Sequence, residues 1–204
     1  MTGQGAPRKR AAVIAAIIVG AILLGVLVDF AWKKIEQATH PKTYAAYVRQ
    51  YSYEYNVPEP IVFAVIKVES DFDPYAESNA GARGLMQMMQ STFEELTSDE
   101  YLGDNYSFGE LFDPEVSIKY GTYYLAYLRS YFDGDWNNAI AAYNGGMGNV
   151  QKWLADSNYS DGKGNLTDIP FEETRNYVSK VNKEIEIYKK LYYERKSEVK
   201  DYEQ

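Results

Sequence analysis

The chain contains no cysteine and only one histidine, His40, among its 204 residues. Without cysteine it can form neither a disulfide nor a thiolate metal site. A single histidine argues against a zinc cage or a Ser-His-Asp triad inside the folded part. No segment longer than four residues shows the alternation that is typical of a β-strand. These absences favour an all-α fold that binds no metal.

Positive charge is also scarce, and it is unevenly placed. The formal net charge is −8, and Arg8, Lys9 and Arg10 are the only charged side chains before Asp29. Beyond them, 18 basic residues stand against 29 acidic ones, a formal charge of −11. An acidic domain argues against a nucleic-acid partner. It would not be held electrostatically on an anionic surface either, so another feature must retain it there.

An apolar run near the start of the chain supplies such a feature. Ala11 to Val28 is an unbroken stretch of 18 apolar residues, which as a helix reaches about 27 Å and approaches the thickness of a bilayer core. It exceeds the apolar region of a signal peptide, and no A-x-A-like cleavage site follows it. We therefore predict a transmembrane anchor at 11–28. The basic residues before it predict a cytoplasmic N-terminus at 1–10, with the rest of the chain on the outer side.

Beyond the anchor, the sequence predicts a juxtamembrane stalk at 29–42, one helical domain at 43–193 and a charged C-terminal tail at 194–204. Within the domain, Glu69 stands at the end of an apolar helix predicted for Ile61 to Ser70. Its carboxylate extends the apolar stripe of that helix. An apolar wall and a helix C-terminus both disfavour the charged form, so both should raise the pKa of Glu69.

A carboxyl group that stays protonated near neutral pH is what a general acid for a glycosidic oxygen requires. Glu69 is therefore a candidate for that role. The alternative is a surface glutamate that merely follows a core helix. The residues around it favour the first interpretation.

These residues form motifs that resemble those of a known enzyme family. The motif E-S-x-F-x-P begins at Glu69, S-x-x-G-A-x-G-L-M-Q begins at Ser78, and D-P, A-A-Y-N-G-G and P-F-E-E-T-R-N-Y-V follow at 113–114, 141–146 and 170–178. From about residue 44 to 185, their order and spacing resemble the catalytic core of the lytic transglycosylases related to goose-type lysozyme. The resemblance implies a lysozyme-like all-α domain that acts on peptidoglycan glycan strands.

The resemblance also implies a reaction. In the family, the acetamido group of the substrate assists, and the 6-hydroxyl of the sugar replaces water. Glu69 would protonate the β-1,4 oxygen between MurNAc and GlcNAc and then accept the proton of that 6-hydroxyl, leaving a 1,6-anhydro-MurNAc end. No cofactor is implied. The matching positions that line the sugar site are Ser78, Gln87, Tyr143 and Asn144, with Glu173 as a second carboxylate of the cleft.

Three of the motif residues have more than one interpretation. Tyr143 is either a core aromatic residue or, beside Asn144, a hydrogen-bond donor that orients Glu69. Met86 is expected to fill the core, or to form part of the cleft wall and contact substrate there. Arg175 is expected to be structural and to pair with a carboxylate.

The acidic residues after Glu69 have a spacing that could belong to a calcium-binding loop. Asp71, Asp73 and Glu77 alternate along the chain. Pro74 stands where such a loop needs freedom, and neither glycine at the sixth position nor glutamate at the twelfth is present. The sequence therefore favours an ordinary solvated turn over a metal site.

Two departures from the family pattern carry predictions. Gln90 replaces the usual proline, and a capping box of Ser91 and Glu94 predicts that the next helix starts at Thr92. The segment A-Y-N-G-G-M-G replaces A-Y-N-A-G-P-G at 142–148, which predicts a looser loop.

Two alternative functions share these residues. The same site could hydrolyse the bond with water, as a lysozyme-type muramidase does. The domain could also be a non-catalytic module that binds the cell wall or serves as a scaffold for a partner in cell-wall or secretion machinery. A binding module has no need of an acid, so the presence of Glu69 within an intact motif argues for the enzyme.

Overall fold

The helix that carries Glu69 forms the centre of the core. In the computed structural model, which describes residues 5–98 and 100–194, this helix is Glu59–Ser70. Every residue from Pro60 to Ile66 is buried, as expected for a helix that is apolar on all sides. The helix ends at Asp71, whose φ of 51° lies in the left-handed region and turns the chain away.

Seven further α-helices and one 3-10 helix lie in the described residues. In chain order the α-helices are α1 Gly5–Thr39, α2 Ala45–Glu54, α3 Glu59–Ser70, α4 Gln90–Thr97, α5 Pro114–Tyr131, α6 Trp136–Gly145, α7 Met147–Leu154 and α8 Glu172–Tyr192; the 3-10 helix is Phe108–Phe112. Between residues 5–98 and 100–194, β-structure is limited to isolated bridges. The all-α expectation is confirmed.

The core is built by packing α8 along α3 and by packing α6 against both α5 and α8. The ring of Phe63 on α3 stacks on the ring of Tyr188 on α8, with centroids 5.4 Å apart. Val181 and Ile185 of α8 are buried in the same cluster. These contacts bring the last turn of α3, the last turn of α6 and the first turns of α8 to one end of the bundle.

The chain divides into two units, with the boundary between Pro41 and Lys42. The first unit includes α1. Its segment Arg10–Thr39 is the one helical stretch of the described residues that is long and apolar enough to cross a membrane. Its side chains from Val13 to Val28 are exposed. The helix continues through most of the stretch predicted as a stalk, to Thr39. Residues 1–4 of the predicted N-terminal segment and residues 195–204 of the predicted tail lie outside the described residues.

Two local predictions are wrong. The helix expected to start at Thr92 is α4 and starts at Gln90, with Met89 in an extended conformation before it. Gln90 donates a hydrogen bond to Glu94 at 2.7 Å, so the side chain of Glu94 is engaged along the helix surface. The segment expected to be a looser loop is not one, because only Gly146 separates the end of α6 from the start of α7.

Candidate active site

Glu69 lies in the last turn of α3, where the apolar helix meets α8. Its side chain is half-buried, and Tyr177 of α8 donates a hydrogen bond from its hydroxyl to Glu69 Oε1 at 2.6 Å. Burial raises the pKa of Glu69 to about 7, and the Tyr177 hydrogen bond partly opposes that rise. The cause is the one expected from the sequence, since an apolar environment disfavours the carboxylate.

This arrangement gives the two oxygens of Glu69 different roles. Because Oε1 accepts the hydrogen bond from Tyr177, Oε2 is the oxygen available to carry the proton of the neutral carboxyl group. A carboxyl group with a pKa near 7 has substantial populations of both protonation states at neutral pH. It can therefore donate a proton in one step and accept one in the next.

Tyr143 does not orient Glu69 by a hydrogen bond, so that prediction is wrong. The hydroxyl of Tyr143 on α6 instead donates to the backbone carbonyl of Met86 at 2.7 Å. Burial raises the pKa of Tyr143 well above its usual range, and the nearby charge of Glu69 raises it further. Tyr143 thus lies near Glu69, and its hydrogen bond connects α6 to the segment that carries Met86.

Met86 belongs to the core, which rules out the cleft-wall interpretation for its side chain. The side chain is fully buried and packs against Gly121 of α5, where an added Cβ would lie 2.4 Å from the Met86 sulfur. The backbone N–H of Met86 donates to Ser117 Oγ at 3.2 Å. Met86 therefore supports the neighbouring Gln87 and does not itself face a substrate.

Gln87 is held in an unusual backbone conformation. Its φ of 46° lies in the left-handed region, which non-glycine residues adopt mainly where surrounding contacts enforce it. Its side-chain Nε2 donates to the carbonyls of Ala76 and Gly84, each at 2.9 Å. Gly84 has a φ of 77°, and a Cβ there would lie 2.0 Å from the carbonyl oxygen of Leu111. Both hydrogen bonds use the side-chain amide nitrogen of Gln87, so Oε1 is the acceptor that remains on this side chain.

The other predicted site residues lie in the segment between α3 and α4 and at the ends of α6 and α8. Ser78 is half-buried, and its Oγ accepts a hydrogen bond from the Ala82 N–H at 3.0 Å. Asn144 is exposed in the last turn of α6, and Glu173 is exposed in the first turn of α8. These two helix ends meet, since a Cβ on Gly145 would lie 3.0 Å from the side chain of Thr174.

The acidic residues after Glu69 are engaged locally. Asp71 pairs with Lys67, and Asp73 accepts a hydrogen bond from the backbone N–H of Tyr75 at 2.9 Å. Glu77 accepts two hydrogen bonds from Arg83, each at 3.0 Å. These contacts describe an ordinary turn.

Arg175 behaves as expected. Its Nε lies 3.3 Å from the carboxylate of Asp168 and donates to the carbonyl of Ile169 at 2.8 Å. The structural role predicted for Arg175 is confirmed.

Tyr177 is the residue of the site that sequence reasoning missed. It lies in the motif at 170–178, and its spacing with Val178 and Val181 is typical of a tyrosine that packs on the apolar stripe of a helix. The available signal was chemical, because the hydroxyl of a buried tyrosine usually finds a hydrogen-bond partner. The buried carboxyl group of Glu69 is such a partner.

Comparison with known proteins places these features in one family. The family model described as the Transglycosylase SLT domain matches residues 46–165. The soluble lytic murein transglycosylase of Escherichia coli K12 is 34% identical over 151 residues, which are 74% of this chain and 23% of that protein. The membrane-bound lytic murein transglycosylase C of Cronobacter sakazakii is 32% identical over 189 residues, covering 83% of this chain and 52% of that protein.

A solved structure is similar as well. An inactive mutant of the lytic transglycosylase Slt from Pseudomonas aeruginosa superimposes with a TM-score of 0.68 at 33% identity. The match covers 76% of this chain and 25% of that one. The chain thus spans between about a quarter and about half of the length of these relatives.

Proposed function

Because the chain belongs to the Transglycosylase SLT domain family, we propose that it cleaves peptidoglycan glycan strands by lytic transglycosylation. The bond that breaks is the β-1,4 bond between MurNAc and GlcNAc. The 6-hydroxyl of the MurNAc unit forms the new bond to its own anomeric carbon, which leaves a 1,6-anhydro-MurNAc end and a free GlcNAc 4-hydroxyl. No water is consumed.

The observation that carries this proposal is the state of Glu69. A carboxyl group with a pKa of about 7 can protonate the leaving oxygen and then accept the proton of the 6-hydroxyl, so one residue serves both steps. Tyr177 holds Oε1 and leaves Oε2 to exchange the proton. Hydrolysis by a pair of carboxylates needs a second one placed across the bond. The acidic residues nearest to Glu69 in sequence, Asp71 and Asp73, are committed to Lys67 and to the turn at Tyr75, and we assign the remaining carboxylate of the site, that of Glu173, to binding the sugar.

The remaining motif residues are proposed to bind the sugar. The side-chain oxygen of Gln87 can accept hydrogen bonds from sugar hydroxyl groups. The exposed amide of Asn144 can both accept hydrogen bonds from hydroxyl and acetamido groups and donate to them. Ser78 and Glu173 lie on the flanking segments and would complete the cleft. Tyr143 supports this cleft from within, through its hydrogen bond to Met86.

We also propose that α1 anchors the protein in the cell membrane as a single span. Support comes from the length and apolar character of Arg10–Thr39 and from the similarity to a membrane-bound relative. The basic residues Arg8, Lys9 and Arg10 support an orientation with the N-terminus on the cytoplasmic side. The domain beyond Lys42 then lies on the cell-wall side, where its substrate is.

Product analysis tests the proposed reaction. Purified peptidoglycan treated with the protein should release soluble fragments whose masses are lower by one water than those of hydrolytic products. Fragments with the full hydrolytic mass would identify a muramidase. A protein that binds peptidoglycan and releases no fragments would be a non-catalytic module.

A further inference from the structure

A groove lies at the end of the bundle that is opposite to the candidate site. It is bordered by Glu59, the first residue of α3, and by Trp136, the first residue of α6. Glu69 and Asn144 lie in the last turns of the same two helices. About 15 Å of helix separates Glu59 from Glu69. The groove is therefore separate from the proposed catalytic site.

Two arginines line this groove, although the domain as a whole is acidic. Beyond Arg10, 29 acidic residues stand against 18 basic ones, yet α2 and α5 each contribute a guanidinium group here. The volume of the groove is about 610 Å³, which lies within the range of ligand-binding sites. We call it the arginine groove and define it by Arg49, Ser52, Tyr53, Glu59, Arg129 and Trp136. Its arginines favour a negatively charged ligand.

Both guanidinium groups keep donors for a ligand. The guanidinium of Arg129 lies over the ring of Trp136, 4.8 Å from the ring centroid, and its Nε donates to the carbonyl of Gly134 at 3.3 Å. These contacts hold the side chain in place, and the two Nη atoms are the donors that remain on it. Arg49 is exposed. In the described part of the chain, neither arginine forms an ion pair.

The other polar groups of the groove do not oppose an anion. The carboxylate of Glu59 lies 3.4 Å from Lys42 Nζ and accepts a hydrogen bond from the Tyr193 hydroxyl at 2.6 Å, so its charge is compensated. Ser52 is only 6% exposed, and among the described residues its Oγ has no hydrogen-bond partner. A buried hydroxyl without a partner costs free energy. A ligand that accepts a hydrogen bond from Ser52 would remove that cost.

We propose that the arginine groove docks an acidic segment of a partner protein. Guanidinium groups bind carboxylates through paired, charge-assisted hydrogen bonds, and arginine clusters commonly recognise acidic peptide motifs. Trp136 and the 91% exposed Tyr53 add aromatic surface, and tyrosine, tryptophan and arginine contribute most of the binding energy of protein interfaces. The groove is far larger than one phosphate ion. Its arginines come from two different helices, which suits several carboxylates spaced along a peptide.

Peptide titration tests this proposal. Acetylated hexa-L-glutamate is titrated calorimetrically into the full-length chain in a nonionic detergent, at low ionic strength, where charge pairs are least screened. The peptide should bind, and Arg49→Ala, a change at an exposed position, should weaken its affinity about threefold to tenfold. The matched control is Lys152→Ala, which removes the same charge from an exposed position on α7 and should leave the affinity unchanged. Absence of binding, or equal weakening by the two variants, would overturn the proposal.

Other anions identify the class of ligand. Sodium phosphate and glycerol phosphate, which carries the charged group of an anionic lipid, should bind more weakly than the peptide. If either bound as tightly in an Arg49-dependent way, the groove would be a phosphate or lipid site and the proposal would be wrong. Arg49-dependent binding of purified peptidoglycan would refute it equally, by assigning the groove to the cell-wall polymer.

Cleavage assays separate this proposal from the proposed function. Arg49→Ala should release fragments from peptidoglycan at the normal rate, because the groove and Glu69 lie at opposite ends of α3. Loss of release in Arg49→Ala would make the groove part of the catalytic machinery and would overturn the proposal. Glu69→Gln protein should bind hexa-L-glutamate as tightly as the unchanged protein does. The docking result therefore stands even if product analysis rejects transglycosylation.

Discussion

The substitution Glu69→Gln should change stability and activity in ways that can be measured separately. Glutamine is nearly isosteric with glutamic acid and can still accept the hydrogen bond from Tyr177, so the packing of α3 should survive. It has no ionisable proton. The protein should therefore lose the pH dependence that comes from burying this one carboxyl group.

The size of that dependence follows from the pKa of Glu69. The group releases its proton near pH 4.5 when solvated and near pH 7 in the folded protein. Between these values the folded state binds more protons than the unfolded state, so stability falls by about 1.4 kcal/mol per pH unit. The stability that neutral Glu69 contributes is fully present below pH 4.5 and is lost as the pH rises through about 7. The total change is about 3 kcal/mol.

The assay is urea denaturation of the fragment lacking residues 1–28, from about pH 5 to about pH 8. The free energy of unfolding of Glu69→Gln should rise relative to that of the unchanged protein by about 2.5 kcal/mol across this range. Glu173→Gln is the matched control, because it removes an exposed carboxylate and leaves Glu69 in place. Identical pH slopes for Glu69→Gln and the unchanged protein would show that Glu69 is not held neutral, and the reasoning would fail.

In the same protein, release of anhydromuropeptides should fall by about 10²–10⁴ or more, because general acid and general base help are both lost. Circular dichroism should show unchanged helix content. Glu173→Gln should cost less, since its proposed role is to shape the cleft. If Glu173→Gln reduced release more than Glu69→Gln, the general acid would lie in the segment at 170–178. Near-normal release by Glu69→Gln would exclude Glu69 as the acid.

Three further changes test other contacts. Tyr177→Phe removes a hydrogen bond that lowers the pKa of Glu69, so the alkaline limb of activity on a soluble glycan should move above about pH 7; an unmoved limb would contradict this. Gly121→Ala should destabilise the domain by about 1–3 kcal/mol, because the added Cβ clashes with Met86. Gly148→Ala is the control and should leave stability unchanged, since a Cβ there meets nothing within 4 Å. Equal melting temperatures of the two variants would count against the clash. Deleting residues 1–28 should give a soluble, active domain, and an insoluble product would mean that this segment is part of the fold.

Local chemistry made several features predictable from the sequence. The apolar run before Glu69 predicted both a buried helix and a raised pKa, because both depend on neighbours within two helical turns. Asp113 followed by Pro114 is a sequence signal for a helix start, and α5 does start there, with the Asp113 carboxylate accepting a hydrogen bond from the Glu115 N–H at 2.8 Å. Each of these signals is complete within a few residues.

The features that were missed depend on contacts between distant segments. Tyr177 and Glu69 are 108 positions apart, and only the packing of α8 on α3 decides that Tyr177, and not Tyr143, reaches the carboxyl group. The predicted start of α4 was wrong because Glu94, the residue that the capping box requires, accepts a hydrogen bond from Gln90 instead.

The attachments of Met86 have a consequence for protein engineering. The N–H of Met86 donates a hydrogen bond to Ser117, its carbonyl accepts one from Tyr143, and its side chain packs against Gly121. Any redesign of that position would therefore displace α5 and α6 together with the turn that presents Gln87. A library meant to alter which sugar substituents are accepted should leave this residue fixed. It should vary exposed positions of the same segment instead, such as Asn79, which lies outside these contacts.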